Sequence, residues 1–194
     1  MSATATSPAR QRYDAFALTL HWLTAASVIF LFASAHIWEL LERGTPLRKG
    51  LQSVHISCGI LLAVVMMVRA LWRFFSQRSA RYAMPATTGS RASRLLAHAV
   101  HGMLYLLLFT QVVLGFLFRW AQQEPFSFFG LFDIPGWITV DPALRHTLAG
   151  LHNNVAWALI GLALAHAIAA LFHHYVLRDN VLRRMLPGGR ENYP

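Results

Sequence analysis

The sequence predicts an all-α fold, an integral membrane four-helix bundle, on the strength of its composition and its charge pattern. Its 194 residues are 56% hydrophobic and only 13% charged, where a soluble domain carries about 25% charged residues. The charge is also clustered: no Asp, Glu, Lys or Arg occurs in residues 15–38, 51–68, 95–118 or 146–177. A membrane-crossing helix needs roughly 20 such residues, within a range of about 17 to 25. All four runs qualify, and the fourth is long enough to project beyond the hydrocarbon.

The elements follow in order, as one transmembrane domain covering residues 1–194 with helices over about 15–40, 51–75, 95–118 and 147–177. The first run is too long for the apolar core of a signal peptide, about 7 to 15 residues. Its end, "AHIWELLERG", has no convincing cleavage site, so the helix is expected to be retained. Between the second and third helices, "SARYAMPATTGSRASR" (79–94) is polar and punctuated by Pro and Gly, and reads as a loop. Between the third and fourth, residues 119–145 form a longer loop. Its centre, "PFSFFGLFDIPGW", is aromatic enough to lie on the membrane surface or cap the bundle. Trp22, Trp38, Trp72 and Trp120 fall near helix ends, as interfacial tryptophans do.

The basic residues orient the bundle. Arg10, Arg12, Arg69, Arg73, Arg78, Arg81, Arg91, Arg94, Arg178, Arg183, Arg184 and Arg190 make twelve on one side, against five (Arg43, Arg48, Lys49, Arg119 and Arg145) on the other. The positive-inside rule then places both termini and the middle connection in the cytoplasm of a multi-pass membrane protein. The net charge of +9 finds its partner in anionic lipid headgroups, and nucleic acid is not expected. Cys58 is the only cysteine, and no C-x-x-C-H occurs, which excludes an internal disulfide and covalent c-type haem attachment.

Of ten histidines, six (His21, His55, His98, His101, His152 and His166) lie within or at the ends of the spans. A buried imidazole costs free energy unless it is hydrogen-bonded or ligating something. His152 and His166 are fourteen residues apart, about 21 Å along a helix and within roughly 40° of one face. Helix direction places His152 and His55 near the outer side, and His166 and His21 near the inner side. Two bis-imidazole sites, one above the other, suit the iron of two non-covalent b haems whose apolar macrocycles fill the space between helices. Gly59, Gly102, Gly115, Gly150 and Gly161 are available to let a helix approach a ring. Zinc fits poorly, since it wants about four ligands around one point. His98 and His101 read as non-ligands, with reach to a haem propionate as the alternative. His36 and His146 read as interfacial. His173 and His174 anchor the helix end or border a quinone site.

Four stretches carry a resemblance: "TLHWLTA", "SVHISCGILLAVVMMVRALWR", "LAHAVHGMLYLLLF" and "LHNNVAWALIGLALAHAIAALFHHYVLRDNVLRRMLP". They resemble the bacterial di-haem cytochrome b family that includes the superoxide oxidases, over nearly the whole chain and in the same helix order. The resemblance implies axial ligands at His21, His55, His152 and His166. It also implies electron transfer from periplasmic superoxide to ubiquinone. Arg119, Lys49, Arg48 and Arg145 are the candidate attractors of the superoxide anion. Gln122 and Gln123 depart from the family by standing where a charge is expected. The competing reading is an electron-carrier subunit linking the quinone pool to a separate redox partner protein. A His-rich metal transporter is disfavoured, because the helices hold no Asp or Glu at mid-depth.

Overall fold

A computed structural model describes residues 13–76 and 90–186. Arg10, Arg12, Arg78, Arg81, Arg190 and most of the 79–94 connection lie outside the described residues. The helices are α1 (Ala15–Glu39), α2 (Pro46–Ser76), α3 (Arg91–Ala121) and α4 (Arg145–Tyr175). All four are long and apolar enough to cross a membrane.

Three helices begin ahead of their expected starts. α2 begins at Pro46 rather than near residue 51, α3 at Arg91 rather than 95, and α4 at Arg145 rather than 147. The reason is physical: lipid forbids charge in the hydrocarbon, but nothing stops a helix from continuing into water. Proline suits a first helical position because the amide hydrogen it lacks would have no helical partner there. Asp14 caps α1 by accepting from the Ala17 amide at 2.9 Å, and Ser90 caps α3 by accepting from Ser93 at 3.2 Å. Asp141 accepts from Ala143 at 2.9 Å, and the short 3-10 turn Pro142–Leu144 leads straight into α4.

α1 packs along α2 and α3 along α4, as two antiparallel hairpins that touch more lightly along α2/α3 and α1/α4. Leu62, Met66, Leu108 and Leu159 form a buried layer at mid-height. A second cluster, Leu114, Ala121, Val140 and Leu148, closes the end bearing the 122–144 segment, called the loop end here; the opposite end is the terminal end. Outward-facing Ile29, Val64, Met67, Leu106, Phe109 and Leu164 are all more than half exposed. An apolar surface of that extent belongs in lipid.

The loop differs from its irregular expectation by a small hairpin, β1 (Ser127–Phe128) against β2 (Phe132–Asp133), in antiparallel register. Phe129 and Gly130 make its turn at φ of 49° and 72°, the left-handed pair that a tight hairpin turn requires. The hairpin sits on α2 through Ser57, which is fully buried and accepts from the Phe129 amide at 2.9 Å. The loop therefore caps the bundle with Phe126, which is buried, while Leu131, Phe132 and Trp137 stay exposed.

Candidate functional site

The mid-height layer separates two groups of histidines. Leu62, Leu108 and Leu159 each stand seven residues after a histidine on the same helix: His55, His101 and His152. Seven residues are about two turns, roughly 10 Å of rise, so leucine and histidine share a face at different heights. On α4 the next such step beyond Leu159 reaches His166.

At the loop end, His55 on α2 and His152 on α4 are electrostatic neighbours. His55 Nδ1 lies 2.9 Å from the Ser34 hydroxyl, and that hydroxyl donates its proton to the Leu31 carbonyl at 3.0 Å. The Ser34 oxygen is thus free to accept from Nδ1–H. Trp38 packs its ring edge on His55 at 4.8 Å. Across from it, Gln111 on α3 donates from Nε2 to His152 Nε2 at 3.0 Å. A Cβ on Gly115 would meet the His152 ring at 3.3 Å, so a glycine lets α3 and α4 close there.

At the terminal end, His21 on α1 has His166 and His101 as electrostatic neighbours, and the His101 and His166 rings are 5.0 Å apart. Arg69 on α2 points its Nη2 at His21 Nδ1, 3.2 Å away, and its Nε donates to the Tyr105 hydroxyl at 2.8 Å. Arg69 and Arg73, counted from sequence among the basic residues of the terminal side, lie on α2 within its expected span of 51–75. Arg69 is turned into the bundle. His101 donates Nδ1–H to the Ala97 carbonyl at 2.6 Å and sits inside this group, whereas His98 bonds Arg94 from an exposed position. His36 packs against Phe32 and Trp157 near the loop end.

Haem fits these residues on two observations. His152 Nδ1 and Gln111 Oε1 are buried without a hydrogen-bond partner, orphaned polar atoms beside an imidazole whose lone-pair nitrogen, Nε2, is held only by the Gln111 amide. Half-buried Gly59, one turn past His55, has no atom within 4 Å of where a Cβ would stand, which leaves width for a flat ring. Gly102, Gly150 and Gly161 are exposed positions. Among the described residues, no three His, Cys, Asp or Glu side chains gather as a metal ion alone would need.

Two of the cations at the loop end, Arg48 and Arg119, are committed. Arg48 donates to the Leu41 carbonyl at 2.7 Å and so closes the end of α1. Arg119 donates to Gln122, approaches Glu124 at 4.0 Å and lies over the Phe126 ring. Gln123 donates to the Trp120 carbonyl at 2.8 Å and, more weakly, to Val140 at 3.3 Å. The two glutamines thus tie the loop to the bundle, a role that a missing charge did not suggest. Lys49 and Arg145 are exposed. Arg48, Lys49, Arg119 and Arg145 all belong to helices rather than to loops.

At the terminal end, His173 bonds Asp179 at 2.5 Å. An open cavity of about 390 Å³ beside them is lined by His174, Tyr175, Arg178, Asp179 and Arg183. Asp179 is held there by a sharp reversal, with Arg178 at φ 53° and the Asp179 amide donating to the His173 carbonyl at 3.1 Å. Burial acts against its carboxylate, but bonds from His173 and the Val181 amide outweigh it and hold the carboxyl below its ordinary value.

Membrane-length helices that bring imidazoles together at two heights define a membrane cytochrome. The chain belongs to the prokaryotic cytochrome b561 family, whose model matches residues 12–188, and members of that family bind b-type haem and transfer electrons in the membrane. Among its relatives is cytochrome b561 homolog 2 of Escherichia coli K12, 33% identical over 183 residues, covering 94% of this chain and 95% of the relative. A probable superoxide oxidase, CybB, of Yersinia pestis is 31% identical over 185 residues, 93% of this chain and 98% of that one. Cytochrome b562 of Cereibacter sphaeroides is 28% identical over 181 residues, covering 90% and 94%.

The sequence reading missed Ser34, Gln111, Arg69 and Tyr105. Arg69 alone had a signal available: it stands fourteen residues after His55, as His166 does after His152.

Proposed function

We propose that this chain oxidises superoxide at its loop end and reduces ubiquinone at its terminal end, with two b haems bound between His55 and His152 and between His21 and His166. The observation that carries the reading is the stacking of these two pairs on either side of the Leu62–Leu108–Leu159 layer. The similarity to a probable superoxide oxidase supports the choice of donor. The balance is two superoxide anions plus ubiquinone and two protons giving two dioxygen and one ubiquinol. Bound haem supplies the one-electron redox chemistry.

The chain's own residues do the rest. Ser34 fixes the ring orientation of His55, and Gln111 that of His152. The Ser57-anchored loop excludes water from the outer pair. Lys49 and Arg145 are exposed cations placed to raise the encounter rate of an anion locally, on an end whose five Lys and Arg are matched by five carboxylates (Glu39, Glu42, Glu124, Asp133 and Asp141); Arg119 contributes less, because Glu124 stands beside it. At the other end the cavity beside His174 and the His173–Asp179 pair offers a quinone head hydrogen-bond partners and proton carriers. The exposed Leu131, Phe132 and Trp137 favour a second reading, in which the loop docks a redox partner protein.

The deciding experiment gives superoxide to the purified protein in vesicles containing ubiquinone and no other protein. Rapid ubiquinol formation that scales with the cytochrome is expected. Haem reduction by a partner dehydrogenase, with none by superoxide, would support the carrier reading instead.

A further inference from the structure

The two groups of histidines differ in charge. At the loop end the polar neighbours are neutral, the Ser34 hydroxyl at His55 and the Gln111 amide at His152. At the terminal end the neighbour of His21 is the Arg69 guanidinium, 3.2 Å from Nδ1. Arg69 is not loose: it bonds the Tyr105 hydroxyl, and Arg73 lies 5.7 Å from the centroid of the same ring.

The polarity of that contact is unusual for a ligating imidazole. Such a ring ordinarily donates its second N–H to an oxygen acceptor, as His55 can to Ser34. A guanidinium has only donors, so Arg69 contributes to His21 a positive charge and no acceptor. A cation beside a centre that gains one electron stabilises the reduced state. The effect is stronger in an apolar bundle than in water. A haem carboxylate pairing with Arg69 would weaken this field without changing the consequence of removing the cation.

We propose that Arg69, held by Tyr105, makes the terminal-end haem the higher in reduction potential, so that electrons entering at the loop end run downhill toward the terminal end. The inference rests on the reading of two histidine-ligated haems, and the test separates the two.

Haem content of the full-length wild type, Arg69→Gln, Arg69→Lys and Tyr105→Phe proteins is measured first, by pyridine haemochrome. Each is then titrated potentiometrically while the haem α-bands are followed. In Arg69→Gln, one component is expected to shift at least tenfold toward the oxidised form, 59 mV for a one-electron couple, with the other unmoved. Arg69→Lys, which keeps the charge, should restore most of the shift. Two haems with unmoved midpoints in Arg69→Gln would overturn the inference. Fewer than two haems in the wild type would overturn the di-haem reading beneath it. Should Arg69→Gln lose a haem, Tyr105→Phe decides. It keeps the cation but frees it, and is expected to lower the same component; no movement there would overturn the inference.

Discussion

Trp22 donates its indole N–H to the main-chain carbonyl of Met185 at 2.7 Å, joining residues 163 positions apart. The bond ties the reversed C-terminal segment, which carries Arg183 of the cavity beside His174, to the start of α1, one residue along the chain from His21. Trp22→Phe removes the donor and keeps the ring. A net hydrogen bond is worth about 1 kcal/mol, so amide exchange across residues 176–186 is expected to quicken roughly fivefold while haem content stays unchanged. Unaltered exchange would show that the segment is held by other contacts.

Ligand substitution should remove haems in pairs of positions. His55→Ala and His152→Ala are expected to lose one haem, and His21→Ala and His166→Ala the other, while His101→Ala keeps both. Pyridine haemochrome analysis and low-temperature α-band spectra read this directly. Loss of a haem in His101→Ala with retention in His166→Ala would reassign the terminal-end ligand to the ring 5.0 Å away.

Ser57 has a different kind of role: it stands two residues after His55 but bonds the loop. Ser57→Ala leaves the Phe129 amide without its acceptor, at a cost of about 1–3 kcal/mol for a buried donor. The expected result is a lower thermal midpoint and faster proteolysis within residues 122–144, with both haems present. An unchanged midpoint would mean that water replaces the hydroxyl.

His173 and Asp179 make a pH-dependent contact. Because the Asp179 carboxyl in the folded chain lies below its ordinary value of 3.8, the stability it adds is fully present above that pH. That stability is lost only as pH falls from 3.8 through the lower folded value. The contribution of Asp179 should therefore be constant from pH 8 to 5, and Asp179→Asn should abolish any loosening seen in acid by amide exchange. His173→Ala is expected to leave superoxide reduction of the haems intact and to slow electron delivery to quinone at least tenfold, roughly 1.4 kcal/mol of barrier. Quinone reduction at the wild-type rate would leave His173 as a structural clasp on Asp179.

Orientation is tested apart from chemistry. With twelve Lys and Arg residues on the terminal side against five on the other, both termini are expected in the cytoplasm. A C-terminal reporter that works only in the cytoplasm should be active, and one that works only in the periplasm silent. The reverse pattern would exchange the donor and acceptor sides.

The four spans were legible in the sequence because charge is excluded from hydrocarbon residue by residue, whatever the neighbouring helices do. The heights of His21, His55, His152 and His166 were legible too, since helix rise and chain direction alone fix depth. The helix starts were not, because in water a helix such as α2 can begin at Pro46 and run over Arg48 and Lys49 ahead of its uncharged stretch. Rotation of each helix about its own axis was equally hidden. Apolar side chains cover both the lipid face and the packed face, so hydropathy does not distinguish them. Only packing turned Arg69 toward His21, Ser34 toward His55 and Gln111 toward His152. Only the long-range bonds of Ser57 and Trp22 decided where the loop and the C-terminal turn came to rest.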